Sequence, residues 1–209
     1  GLSDSGIREV GQAAYGLLPV DSGEVSLPTH NVSIGNPYQA LQNRVAYVPK
    51  DRDGEALMMG ASIQNNFCLP SVETLKGRFG FLSPKKLYQA SSKAREQFSV
   101  KSTGVDQLMR ALSGGNKQKV NLGRWLIKDL DVLIVDCPTR GVDIGVKAYI
   151  YQCLREAKEK GMAILLITDE LSEVLGMADT IAVMKDGEIC KLLPRSAELS
   201  EETIIEVMT

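Results

Sequence analysis

Hydrophobic positions along this chain follow two rhythms, and the changes between them mark out its elements. Ile7, Val10, Ala14 and Leu17 recur at helical spacing. Pro19–Gly23 reads as a turn, followed by short strands around 24–27 and 31–34. Asn36-Pro37 opens a brief helix, and Val45–Val48 is a strand that ends at Pro49 and Lys50. From Ser62 to Lys128 the pattern is mainly helical. Ser62 caps one helix, which Pro70 stops, and Ser83-Pro84 starts another that runs to about Phe98. Ser113 precedes a third, with Lys117, Val120, Arg124 and Ile127 one turn apart. Val132–Val135 is a continuous apolar run that ends in Asp136, and Met162–Ile167 reads as a buried strand of parallel type. Between them Ile144–Lys160 is an amphipathic helix closed by Gly161. Thr180–Met184 and Glu188–Leu193 form a hairpin through Lys185-Asp186-Gly187, and Ser200 with Thr203 opens a last helix. The chain has no internal repeat and no low-complexity segment.

Bulk properties narrow the class. The 209 residues are enough for one sizeable core or two small lobes. A hydrophobic content of 44% with 24% charged residues is that of an ordinary globular protein. The net charge of −2 gives no support for a nucleic-acid or anionic-membrane surface. No apolar run approaches a membrane span, and no signal peptide is present in this sequence. Cys68, Cys137, Cys153 and Cys190 are widely spaced and read as reduced thiols. His30, the only histidine, sits among turn residues and argues against a metal site.

The chemistry concentrates in three pieces: Leu112–Val120 (LSGGNKQKV), the strand ending at Asp136, and Pro138–Asp143 (PTRGVD). Gly114 and Gly115, ahead of the capped helix, let backbone N–H groups approach an anion at the positive helix end. In this order, with 23 residues from Ser113 to Asp136, the pieces resemble the signature motif, Walker B strand and D-loop of an ABC ATPase. The wording of the first and third is most similar to the second nucleotide-binding domain of simple-sugar importers. The resemblance spans nearly the whole chain. It implies an α/β fold: a P-loop NTPase (RecA-like) core at 1–61 and 129–209, with a helical, signature-containing lobe inserted at 62–128. It also implies a strand and an adenine-stacking aromatic residue ahead of Gly1, both absent from this sequence. The expectation is therefore a piece of a longer polypeptide with a first nucleotide-binding domain before it.

At the chemical positions the resemblance breaks down. Gly1-Leu2-Ser3-Asp4-Ser5-Gly6 has P-loop glycine spacing, although for this stretch alone a plain glycine turn before a helix is the better reading. Ile7 stands at the phosphate-binding Lys position and Arg8 at the Mg²⁺-binding Ser/Thr position, and Asp4 adds negative charge beside the cradle. Lys50 takes the Q-loop position, where an exposed charged loop is the plainer reading. Asp136 remains as a candidate Mg²⁺ holder through water. Cys137 replaces the general-base Glu, and no histidine near it in sequence supports a cysteine nucleophile. Asp169 falls at the switch-histidine position. Ser113, Gly114, Gly115 and Asn116 are intact, and Asp143 would set the contact across a domain interface.

The resemblance thus implies an ATP-binding half whose own ATP and Mg²⁺ site is silent or nearly so. It would lend its signature to the site of a partner: the first nucleotide-binding domain of the same polypeptide, or a second copy. Membrane permease subunits complete the expected assembly, with this chain peripheral on the cytoplasmic side of the membrane and the cargo a monosaccharide. Phe79 and Phe81, in the loop 71–82, are a candidate contact surface, with packing onto the lobe's own helices as the plainer alternative. Other readings stay open: a nucleoside or sugar-like signal as cargo, a non-catalytic scaffold for membrane subunits or a regulator, and a soluble ABC ATPase of translation or DNA repair. The Gly-Gly-Asn-Lys-Gln-Lys wording and the lack of a basic surface count against the last.

Overall fold

The computed structural model describes residues 5–196 and 199–208. Gly1 and Asp4 of the glycine-rich turn lie outside the described residues. The chain divides into two compact units, 1–47 with 131–138 and 153–209, and 48–130 with 139–152. Residues 48–61 and 139–152 therefore go with the helical unit, whereas the sequence reading places them in the core lobe.

The first unit is built on a sheet of order β3-β4-β5, comprising Val45–Val48, Val132–Asp136 and Ala163–Ile167. β4 and β5 run parallel, with Asp136 opposite Ile167 at their carboxyl ends. Helix α1, Ile7–Ala14, lies on β4 and β5. Its glycine at position 11 permits the close approach, since a Cβ there would stand 2.2 Å from Ile167 Cδ1. Ile7, Ile34, Val45, Tyr47, Ile134 and Ile167 make this core. A small antiparallel pair, β1 (Ser26–Leu27) and β2 (Val32–Ser33), precedes α2 (Pro37–Gln42). Asn36 caps α2 by accepting from Gln39 N–H at 2.9 Å. The antiparallel hairpin of β6 (Thr180–Lys185) and β7 (Glu188–Pro194) turns through Asp186 and Gly187, both at positive φ, as a tight two-residue connection needs. A second core joins Ile181, Val183 and Ile204, between β6, α8 (Leu171–Met177) and α9 (Glu201–Met208). Thr203 N–H donates to Ser200 Oγ at 3.3 Å and opens α9.

β5 corrects an expectation. Its sequence reads as a strand buried on both faces, yet Ala163 and Leu165 are exposed. Among the described residues nothing pairs with its outer edge, and it opens onto an apolar trough of about 770 Å³ shared with β6.

The second unit is helical. α3 (Ile63–Cys68) packs against α5 (Pro84–Gln97) and α6 (Gly114–Leu126), with α4 (Val72–Leu75) nearby in sequence. Ser62 caps α3, accepting from Asn65 N–H at 3.1 Å. Phe67 and Phe98 stack at 6.4 Å, and Gly123 leaves the room that Phe98 fills. Helix α7, Ile144–Glu159, follows the D-loop segment, and Gly161 at φ 95 closes it.

One local device yields a stability prediction. α1 ends in a Schellman motif: Gly16 N–H donates to Ala13 O at 2.9 Å and Leu17 N–H to Gln12 O at 2.8 Å. Gly16 has φ 79, and a Cβ there would meet the Asn36 backbone at 2.6–2.7 Å. Both the handedness and the neighbour penalise a side chain. Gly16→Ala is expected to destabilise the chain by roughly 2–3 kcal/mol, read as a lowered urea midpoint at unchanged slope.

Candidate functional site

The carboxyl ends of parallel strands are where open α/β sheets gather their ligands. In the first unit this edge brings together Arg8, Tyr47, Asp136, Cys137 and Asp169. Asp136 is 1% exposed, and its Oδ2 accepts the Tyr47 hydroxyl at 3.2 Å. Arg8 Nε lies 3.6 Å from the same oxygen. Burial, and after it the Asp136 carboxylate, hold the Tyr47 phenol well above its usual range, with Arg8 pulling the other way. Tyr47 therefore stays a neutral donor. Sequence reading treated it as a strand residue only; the available signal was a lone hydroxyl inside a buried apolar strand, which needs a partner.

Ile7, expected at the phosphate-lysine position, is only 9% exposed and belongs to the sheet-side core. It offers a phosphate neither charge nor donor. Gly6 caps α1 in the left-handed region at φ 84, and Ser5 is buried with its carbonyl accepting from Gly187 N–H at 3.1 Å. Cys137 is buried at φ 44, an unusual backbone state for a non-glycine residue. Its N–H donates to Ile167 O at 2.8 Å and extends the β4–β5 ladder by one step. Its thiol faces Asp169, with Sγ 4.0 Å from Oδ1. Cys137 and Asp169, the residues expected at the general-base and switch positions, are thus neighbours. His30, far from these groups in sequence, pairs with Asp131, which also holds Arg44 at 3.0 Å.

These residues do not fit a resident Mg²⁺. That ion demands a near-octahedral oxygen shell at about 2.0–2.1 Å. The Oδ2 of Asp136 instead accepts a phenol and has a guanidinium beside it. The hydroxyl expected one position into α1 is replaced by Arg8, a cation. The expectation that Asp136 holds Mg²⁺ thus meets a competing positive charge from a side chain of the same chain, Arg8 at 3.6 Å.

The second unit carries the signature half. Ser113 is exposed, and its Oγ accepts from Asn116 N–H at 3.4 Å and from Asn116 Nδ2 at 2.9 Å. Asn116 Oδ1 in turn accepts from Lys101 N–H at 2.8 Å, so the cap is tied to the preceding loop. Gly114 and Gly115 form the first turn of the 13-residue α6, where backbone N–H groups lack helical acceptors. A substituent is tight at both glycines and would force a shift at Gly115. A Cβ on Gly115 would stand 2.7 Å from Val146 Cγ2, and one on Gly114 would stand 3.1 Å from Arg52 Nη2. Asp143 is exposed and caps α7, its Oδ1 accepting from Val146 N–H at 3.0 Å.

A brace that sequence reading missed surrounds this turn. Arg52 donates to Arg140 O at 3.0 Å, and Lys117 meets Asp53 at 2.8 Å. Segment 51–56, the signature and the D-loop segment are thereby joined. Only the charges at 51–53 hinted at it. Lys50 is half-buried at the start of this segment. Phe79 and Phe81 are 82% and 76% exposed, at the tip of a small turn closed by Gly77 N–H donating to Phe81 O. They do not pack onto the unit's own helices, which overturns the plainer of the two readings given to them.

Known proteins resemble this chain in sequence and in fold. A family model described as ABC transporter matches residues 10–140. A ribose import ATP-binding protein, RbsA, of Lactococcus lactis is 37% identical over 209 residues, covering 100% of this chain and 42% of the relative. A putative ribose/galactose/methyl galactoside import ATP-binding protein of Agrobacterium fabrum is 38% identical over 211 residues, again covering 100% and 42%. The chain thus spans well under half the length of these relatives. Among solved structures, a nucleotide-free ATP-binding cassette from an ABC transporter superposes with a TM-score of 0.79 at 21% identity, covering 98% of this chain and 84% of that one. A dimeric post-hydrolysis cassette bound to ADP and Pi gives 0.78 at 18%, covering 92% and 82%. At these identities the structures speak for the fold alone.

Proposed function

We propose, from the premise that the chain belongs to the ABC transporter family, that it is the second ATP-binding half of an importer ATPase that powers uptake of a monosaccharide. In this reading it acts in trans. Its own pocket is hydrolytically silent, and its signature turn completes the ATP site of a partner domain, either the first half of the same polypeptide or a second copy.

The supporting observation is the contrast between the two half-sites. The signature turn is capped, braced and free of bulk at Gly114 and Gly115. The other half has its phosphate-lysine position turned into the core and its metal carboxylate held by Arg8. Ribose and galactose in the relatives' names favour a monosaccharide as cargo. Import by those relatives favours permease partners and a peripheral place on the cytoplasmic side of the membrane. None of the described helices is long and apolar enough to cross it. The exposed Phe79 and Phe81, with the Arg78 guanidinium 5.3 Å from the Phe79 ring centroid, suit a contact with a membrane subunit.

The deciding measurement is steady-state ATP turnover by the purified chain. It is expected to stay at background, and Cys137→Glu is expected to leave it there. A restored carboxylate supplies one general base, worth about 10²–10⁴ in rate, while Ile7 still offers the phosphates no charge and Arg8 still stands against the metal. ATP hydrolysis by the unmodified chain would overturn the silent-site reading.

A further inference from the structure

Asp136 is almost wholly buried, and a buried carboxylate keeps its charge only with a cation or donors beside it. Here both come from the chain itself: Tyr47 at 3.2 Å and Arg8 at 3.6 Å. Arg8 sits in the first turn of α1, directly after the left-handed Gly6, and its side chain remains 37% exposed. A guanidinium carries five N–H donors in a planar fork, so one that lies beside Asp136 and is still partly exposed has the chemistry to meet phosphate oxygens as well. A divalent metal bound at Asp136 would have to displace this cation or lie against it, and like charges a few ångströms apart repel.

We propose that Arg8 is the built-in counter-cation of this pocket, and that the pocket takes a nucleoside polyphosphate free of divalent metal. The inference rests on the reading of the first unit as a nucleotide pocket, and it adds the ionic form of the ligand. The guanidinium bridges Asp136 and the phosphates, in the place where a metal with its waters would otherwise neutralise both. Metal-free ATP carries more negative charge than its magnesium complex, so a fixed monovalent cation favours the free form. With no metal on the terminal phosphate and a thiol, Cys137, where a general base is expected, the nucleotide stays whole as a fixed ligand.

The test measures the affinity of the 209-residue chain for ATP by calorimetry, once in excess EDTA and once in excess MgCl₂. The free form is expected to bind at least as tightly as the magnesium form. Mn²⁺ added with ATP is expected to give the electron-spin-resonance spectrum of Mn²⁺–ATP in solution, with no immobilised component. Arg8→Thr, which removes the cation and restores a hydroxyl, is expected to reverse the preference, with Mg²⁺ tightening binding by about tenfold. Tightening of the unmodified chain by Mg²⁺ beyond about threefold, or an immobilised Mn²⁺ signal, overturns the proposal while leaving the nucleotide pocket standing. Absence of ATP binding in either medium overturns the pocket reading and this inference with it. The Mn²⁺ measurement uses the unmodified chain, so it decides the matter even where Arg8→Thr fails to fold.

Discussion

Ser113→Arg, introduced into this chain assembled with the partner domain proposed for it, is expected to cut ATP turnover by on the order of 10²-fold or more, the scale of losing positioned donors at a developing phosphate charge. The local geometry explains why so exposed a residue matters. Ser113 Oγ is the acceptor that ends the N-terminus of α6, and both bonds from Asn116 converge on it. A guanidinium has no acceptor, and its long stem covers the approach to Gly114 and Gly115. A Cβ on Gly115 would already stand 2.7 Å from Val146 Cγ2, so the turn is tightly packed on that side. Fold stability should change little, since losing an N-cap costs about 1 kcal/mol. Unchanged circular dichroism would therefore assign the lost turnover to the site. Ser113→Ala, which keeps the backbone N–H groups open, is expected to lose no more than about tenfold. Turnover unaffected by Ser113→Arg would sink the in-trans role and favour a scaffold that never completes an ATP site.

The parts of this fold legible from the chain are those that local rules decide. Asn36, Ser62 and Ser113 were readable as helix starts, and each side chain accepts the N–H three residues on. The Asp186-Gly187 hairpin and the closing Gly161 follow from the same short-range sterics. The signature and Asp136 were readable because family motifs are contiguous. The decisive pairings were not. Tyr47 and Asp136 are 89 residues apart, and nothing around either one names the other. Ile7 carried two identities, a motif position and an apolar residue at helical spacing, and packing resolved them in favour of the core. Lys117 and Asp53 meet across 64 residues, which a one-dimensional charge pattern does not encode. The two aromatics at 79 and 81 misled in the opposite direction, because burial is a tendency of phenylalanine and a turn closed by its own backbone does not require it. Long-range partners and the direction of a side chain are where reading a single chain runs out.

Adding a short strand of alternating β-branched residues ahead of Gly1 is expected to stabilise the chain by roughly 3–6 kcal/mol, after the cost of ordering the added residues. Among the described residues β5 pairs with β4 alone and β6 with β7 alone, and the two facing edges border one apolar trough. Ile164, Leu166, Ile181 and Val183 line it, and Ile7 and Val10 of α1 stand at its border. A volume of about 770 Å³ suits one strand of the usual five or six residues. Such a strand would satisfy backbone groups on two edges at once and cover the side chains that leave Leu165 36% exposed. The contrast between its two faces would also fix its register. Entry from the α1 end is short, since residues 1–6 reach about 20 Å when extended. The comparison uses urea unfolding of the chain with and without the added strand, together with binding of a dye that fluoresces on exposed apolar surface. A higher midpoint with dye fluorescence reduced several-fold is the expected pair of results. An unchanged midpoint with undiminished dye binding would mean that the trough is not a strand site, and that the edges of β5 and β6 are satisfied by some other cover.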